Sequence, residues 1–304
     1  MRLLVTLLLC TLLAGCDLGD DRDLCCYQGG MTYRLTYDGY DYFPERVEHL
    51  RCFLFSGDDG RFLRELPTMP GRPERVDLSG LEEGYYGMIA VGNLDDYGEI
   101  DGLAETVQNL RFGATDFFRE TRALSHGDQL YWGAKRFHMV AGEANEYVTE
   151  LSNIHCHLKV MVEWEGLPPG GGNYYLQLSG VYDGYNFFPG DAWYLGERLF
   201  PEYNGELRSA VEESSLLSMS LQAEFVTLRY TNEKIPSIRV WHGSRAETDL
   251  IDLKPVFRQW GWYPDATPAQ EYELHMLIYR DGSVKLSPSL DVGVNDWTDG
   301  GAFE

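Results

Sequence analysis

Apolar side chains recur at every second position along much of this chain, the spacing of strands with one buried face. Tyr33, Leu35 and Tyr37 alternate with Thr32, Arg34 and Thr36. Ile154, Cys156, Leu158, Val160 and Val162 share one side of a strand that runs on to Trp164. Residues 47–55 and 85–93 are apolar over most of their length, and shorter strand signals lie at 129–133, 148–150, 174–178, 224–230, 237–241, 273–279 and 284–286. Asp59-Gly60 and Asp281-Gly282 are hairpin turns between such runs, and Pro168-Pro169-Gly170-Gly171-Gly172 is a further turn. Leu103, Val107 and Leu110 have helical spacing, which predicts one short helix. Many short strands with regular turn residues predict an all-β chain built of β-sandwiches.

The polar stretch 141–146 separates two sets of strands, and predicts one sandwich over residues 29–147 and another over 148–304. Tyr37-Asp38-Gly39-Tyr40-Asp41-Tyr42-Phe43-Pro44 recurs in the second set as Tyr182-Asp183-Gly184-Tyr185-Asn186-Phe187-Phe188-Pro189. Domain duplication, or chance in a chain rich in Tyr, Asp and Gly, accounts for the echo equally well. Apolar residues make up 44% of the chain, ample for packed cores. The formal net charge is −23, and a surface this acidic repels polyanions, so nucleic acid is excluded as a partner.

The N-terminus breaks the strand pattern. Arg2 precedes an apolar run from Leu3 to Leu12, shorter than the about 20 apolar residues that span a bilayer. Leu13-Ala14-Gly15-Cys16 follows. This order of charge, apolar core and small residues before a cysteine is that of a lipoprotein signal peptide with its lipobox. Residues 1–15 are expected to be removed, leaving Cys16 with a covalent diacylglycerol and an N-acyl lipid and no other cofactor. Acyl chains contribute about 0.8 kcal/mol per buried methylene, so several chains on one cysteine anchor stably. Asp17, Asp20, Asp21 and Asp23 make residues 16–28 a self-repelling tether. The tether is either a plain spacer or, by its likeness to the acidic export signal of Gram-negative gut and oral anaerobes, a signal for display on the outer membrane. Export permits disulfides: Cys25, Cys26, Cys52 and Cys156 allow three pairings, and Cys52 and Cys156 serve equally as buried thiols.

Several segments, taken in order, carry a family likeness. They are the lipobox at Cys16, the strand at 33–37, and Cys52-Phe53-Leu54-Phe55 closing on Ser56-Gly57-Asp58-Asp59-Gly60-Arg61-Phe62. Gly84-Tyr85-Tyr86-Gly87-Met88-Ile89-Ala90-Val91-Gly92-Asn93, Leu130-Tyr131-Trp132-Gly133, the strand at 151–162 and Val292-Gly293-Val294-Asn295-Asp296-Trp297 complete the set. Together they resemble the fimbrillin-A-associated anchor family, lipoproteins that hold type V pili to the outer membrane. Val91 departs from it, standing where the family often has an aromatic residue. The resemblance implies two tandem transthyretin-like β-sandwich domains and a non-enzymatic role at the base of a fimbria, limiting its length. It implies major or minor fimbrial pilin subunits as partners, joined by β-strand addition. A chain that must keep its lipidated N-terminus is expected to donate a strand rather than open a groove. Leu290, Val292 and Val294, with Trp297 beyond them, alternate suitably for donation, and equally for the last strand of the chain's own second sandwich.

Other residue sets suggest less chemistry. His155 and His157 share a strand face and Cys156 takes the other, so at most two ligands converge, and a structural strand rather than a metal site is expected. H-E-x-x-H, G-x-S-x-G and Walker A patterns are absent from the sequence, and no enzyme activity is expected. The acidic pairs Asp95-Asp96 and Glu212-Glu213 read as solvated. Aromatic residues supply the competing function, a surface glycan-binding lipoprotein. Trp260, Trp262 and Tyr263, with Trp193, Tyr194 and Trp297, would form its sugar-stacking platform. Core and inter-domain packing is the alternative use of these rings.

Overall fold

The computed structural model describes residues 29–94, 98–102, 105–114, 129–170, 172–187, 202–203, 207–214 and 219–288. Two sheets form the first sandwich. One has the order β12 (Asn145–Glu150), β1 (Gly29–Arg34), β7 (Arg72–Asp77), β6 (Thr68–Met69). The second has the order β13 (Ser152–Asn153), β11 (Tyr131–Met139), β8 (Gly84–Gly92), β4 (Leu50–Ser56), β5 (Phe62–Leu66). Between them lie Met31, Tyr33, Leu54, Val76, Met88 and Phe137, and the single-turn helix α1 (Phe43–Arg46) adds Phe43. The chain switches sheets at both sides of this sandwich, through Pro67 between β5 and β6 and through Leu151 between β12 and β13. Proline suits such a corner, because it has no N–H to leave unpaired.

The second sandwich repeats the plan. Its third sheet has the order β19 (Ser220–Leu228), β14 (His155–Trp164), β23 (Gln270–Ile278), β24 (Val284–Ser287). The fourth has the order β18 (Leu207–Ser214), β15 (Tyr174–Tyr182), β20 (Ser237–His242), β21 (Arg245–Ala246), with β22 (Ile251–Asp252) also on β20. Leu158, Val160, Leu176, Phe225, Val240 and Leu274 fill the space between. Helix α2 (Leu253–Gln259) packs Leu253 and Phe257 onto this core, and Asp252 caps it by accepting from the Lys254 N–H at 2.9 Å. In each sandwich the first strand is sandwiched by one parallel and one antiparallel neighbour: β1 by β12 and β7, β14 by β23 and β19.

A smaller sheet, β17 (Glu202–Tyr203), β16 (Gly184–Asn186), β10 (Arg111–Ala114), β9 (Gly98–Asp101), draws strands from both halves of the chain. With it comes a third core. Phe53, Phe55, Ile89, Val91 and Trp132, on the outer face of the second sheet, pack against Leu110, Phe112, Tyr185 and Phe187. The strands β4 and β8 are therefore buried on both faces, which is why their sequences read as continuous apolar runs rather than alternations.

Three expectations change. The boundary placed after residue 147 falls inside β12, whose pairing with β1 continues to Glu150; β13 still belongs to the first sandwich, and the second begins at β14. The polar stretch 141–146 turns the chain between two strands of one sandwich, and its last two residues, Asn145 and Glu146, already belong to β12. The helix read from Leu103, Val107 and Leu110 is a single 3-10 turn at Val107–Asn109, because Val107 and Leu110 dip into the third core at a bend in the chain. Finally, the two copies of the Tyr-Asp-Gly echo fold differently. The first is the hairpin of β2 (Thr36–Tyr37) and β3 (Tyr40–Asp41), with Asp38 and Gly39 at φ of 51° and 81°, whereas the second forms the end of β15 and then β16. Phe53 is fully buried in the third core. Phe53→Ala should cost about 3–5 kcal/mol in urea denaturation, and Leu63→Ala, at the surface, within about 0.5 kcal/mol; equal costs would contradict two-sided burial of the second sheet.

Candidate functional site

The first of the described strands is held on both sides. β1 pairs with β12 through all six of its residues and with β7 through three, and Met31 and Tyr33 are buried beneath it. Arg75 reaches across from β7, donating to Thr32 Oγ1 at 3.1 Å and to Glu146 Oε1 of β12 at 2.6 Å. Glu146 is largely exposed, so this pair adds little by itself. Its effect is to tie the two neighbours of β1 to each other. Gly29 permits the close approach at the start of the ladder, where a Cβ would lie 2.5 Å from the Asn145 carbonyl oxygen.

A buried polar network closes the passage from the first sandwich to the second. The Arg229 guanidinium donates to the carbonyls of Asn153 at 3.2 Å, Pro264 at 3.0 Å and Pro268 at 2.8 Å. The Arg229 N–H donates to Tyr185 Oη at 2.9 Å, and that hydroxyl donates to the Ile154 carbonyl at 2.9 Å. Gln270 accepts from the Tyr230 N–H at 2.7 Å and donates to the Tyr230 and Pro264 carbonyls, each at 2.9 Å. His155 Nδ1 lies 3.0 Å from the Leu130 carbonyl, which makes Nδ1 the protonated nitrogen of a neutral ring. Burial pushes the His155 pKa down to about 4, and the Leu130 bond only partly offsets this. At the surface, Arg46 of α1 meets Glu271 of β23 at 2.7 Å.

The residues singled out in the sequence are distributed as follows. Cys16 with Leu13, Ala14 and Gly15 lies outside the described residues, as do Leu290, Val292, Val294 and Trp297, and also Trp193, Tyr194, Cys25, Cys26, Asp95 and Asp96. Cys52 and Cys156 are free thiols buried in different cores, and burial pushes Cys52 up to about 12. Glu212 and Glu213 sit on β18 rather than in a loop, and half-burial, with Glu224 nearby, raises Glu212 to about 7. Among the described residues no group of three or more His, Cys, Asp or Glu side chains gathers to hold a metal ion, and no helix is long and apolar enough to cross a membrane.

Trp260 and Trp262 are packed rather than displayed. Their rings meet edge to face at 4.9 Å, and Trp262 lies 5.0 Å from Phe257 and 4.9 Å from Tyr272 on the second core. Gly261, at φ of 70°, turns the chain at the end of α2, so the Trp262 N–H reaches the Phe257 carbonyl and the side chain folds back. Tyr263 alone of the three is exposed. The aromatic pair that reading the sequence missed is Tyr175 with Trp241, at outward positions of β15 and β20. The alternation with buried Leu176 and Val240 was its signal. A cavity of about 260 Å³ on the outer face of the third sheet is lined by Lys159, Met161, Gln222, Glu224, Glu273 and His275. Charges there pair locally, Lys159 with Glu224 at 3.6 Å and His275 with Glu163 at 3.1 Å.

The model of a family described as fimbrillin-A associated anchor proteins Mfa1 and Mfa2 matches residues 22–299. No curated protein matches the chain. Among solved structures, a provisionally assigned adhesin from Bacteroides ovatus is similar with a TM-score of 0.64 at 14% identity, over 88% of this chain and 94% of that one. A provisionally assigned polysaccharide-binding protein from Bacteroides thetaiotaomicron gives 0.61 at 11% identity, over 87% and 99%. The fimbrial anchor protein Mfa2 from Porphyromonas gingivalis gives 0.59 at 14% identity, over 86% and 95%. At such identities these likenesses establish the β-sandwich fold.

The neutral, buried His155 gives stability a pH dependence of definite sign. Its folded pKa of about 4 lies below the ordinary 6.5, so between these values the unfolded chain takes up a proton that the folded chain does not. Stability therefore falls as pH drops from 6.5 to 4, by up to about 3 kcal/mol. Glu212 acts in the opposite sense: with its pKa raised to about 7, its contribution is lost as pH rises from 4.5 to 7, and solvent screening weakens it. In urea denaturation across this range, His155→Gln should flatten the acid loss and Glu212→Gln should steepen it. The same slope in the parent and in His155→Gln would contradict the assignment.

Proposed function

Since the chain belongs to the family of fimbrillin-A associated anchor proteins, we propose that it holds a fimbria to the outer membrane by lipid on Cys16 and meets pilin subunits through a β-strand, limiting fimbrial length. The solved neighbours described as an adhesin and as a fimbrial anchor support a role at the cell surface. The observation that carries the reading is the placement of β1. β1 is the first strand after Cys16 among the described residues, and a pull on the fimbria opposed by the lipid would load its two ladders and the first core.

The same placement bears on the direction of strand exchange. Removing β1 would break both ladders and expose Met31 and Tyr33, which counts against opening a groove by shedding it. Donation from the other end fits better. β24 is one of the two edge strands of the third sheet among the described residues, and Leu290, Val292, Val294 and Trp297 follow it in the sequence. Backbone hydrogen bonds would supply the affinity of the joint and alternate side chains its specificity. The two sandwiches are read as two domains that meet at residue 154.

Replacing Cys16 with Ala should release fimbriae into the medium, where sedimentation and immunoblotting of cell-free supernatant would find them; fimbriae still attached in normal amount would exclude the lipid as the anchor. A chain ending at Pro288 should fold and fail to capture pilin in a pull-down. Undiminished capture would remove the donor role while leaving the lipid anchor standing.

A further inference from the structure

The outer face of the fourth sheet carries chemistry that neither the cores nor strand exchange uses. In β15, Leu176 and Leu178 point into the second core, so Tyr175, Gln177 and Ser179 point out. In β20, Ile238 and Val240 point in, so Arg239 and Trp241 point out. Register sets Tyr175 beside Trp241 and Gln177 beside Arg239, and β18 adds Glu213 to the first row. The Trp241 indole N–H donates to Gln177 Oε1 at 2.8 Å, which fixes the ring across the two rows. The Arg239 guanidinium carbon stands 5.3 Å from the centre of the Trp241 ring, a cation–π contact. One row further on, the Ser179 and Ser209 hydroxyls meet at 3.2 Å.

Arg239 is the observation that points to a ligand. Its Nε is shut off from solvent without a hydrogen-bond partner among the described residues, and its stack on Trp241 is the contact that holds the guanidinium. A charged donor left without a partner is unfavourable, so an acceptor that reaches the guanidinium is favoured. The neighbouring Gln177 uses its carbonyl oxygen on Trp241 and leaves its amide N–H groups available. Two aromatic rings are thus bordered by donors that lack acceptors among the described residues.

We propose that this face is a saccharide-binding platform. A sugar ring lays its apolar C–H face on Trp241 or Tyr175, and its oxygen-bearing edge accepts from Arg239 and the Gln177 amide. The ligand has to be apolar on one side and rich in acceptors at its rim, which a pyranose is and a purely apolar peptide is not. Long anionic polymers are repelled by the net charge of −23, so the chain takes neutral oligosaccharides, or short ones with single carboxylates that suit the guanidinium. This site is separate from the anchoring reading and stands or falls apart from it.

Isothermal titration of the detergent-solubilised full-length protein tests the assignment, with mannohexaose, cellohexaose and xylohexaose as neutral probes, trigalacturonate as the acidic one and heparin as the polyanion. Saturable binding of a neutral probe or of trigalacturonate is expected. Trp241→Ala and Arg239→Met should each weaken it by about tenfold or more, a change of about 1.4 kcal/mol, and Tyr85→Ala, exposed on the first sandwich, should leave it unchanged. Arg239→Met keeps an apolar stem against the ring, so it gives the answer if Trp241→Ala fails to fold. No saturable binding by any probe, binding of heparin alone, or binding indifferent to both substitutions overturns the proposal. Loss of pilin capture by Trp241→Ala without any sugar binding would assign the face to a protein instead.

Discussion

β1 is hydrogen-bonded along both edges, and its side chains reach into the first core, so it cannot leave without opening the sandwich around it. Each backbone bond is worth only about 0.5–1.5 kcal/mol net, and each buried large side chain about 1.5–3 kcal/mol. Acting together on one short strand, they hold it firmly in the first sandwich. Pro67 and Leu151, where the chain crosses between sheets, lie at the two sides of the same sandwich and continue the edge strands β6 and β12 into the second sheet.

From there the structure is continuous into the second sandwich. The outer face of the second sheet is as apolar as its inner face, and the third core it builds takes Tyr185 and Phe187 from beyond residue 154. The carbonyls collected by Arg229, and the Tyr185 hydroxyl between Ile154 and Arg229, satisfy the polar groups this packing buries. A chain so connected passes a pull from one sandwich to the other through core contacts as well as through the backbone at residue 154.

Strands with one wet face were legible in the sequence, because alternation survives wherever one side meets solvent: β1, β14 and β15 lie close to where Tyr33, Leu158 and Leu176 predicted. Boundaries were harder. Residues 141–146 are polar because they turn between β11 and β12 and begin β12 itself, and a local pattern cannot distinguish such a turn from a domain break. Helix α2 was invisible to periodicity at seven residues, although Asp252 signalled its cap. Of the two uses the sequence offered for Trp260 and Trp262, display and packing, the structure shows packing on the second core. The glycine turn sends Trp262 to the core, while Tyr175 and Trp241, far apart in sequence, become neighbours only through the register of β15 and β20. The family likeness drew on motif order along the chain, and the match over residues 22–299 agrees with it.

An anchor occupies one end of its fimbria and one end only. Immunogold labelling of this chain on fimbriated cells, viewed by electron microscopy, tests that most directly. Gold confined to the membrane-proximal end of each fimbria is the predicted result. Gold along the shaft or at the distal tip would contradict the account.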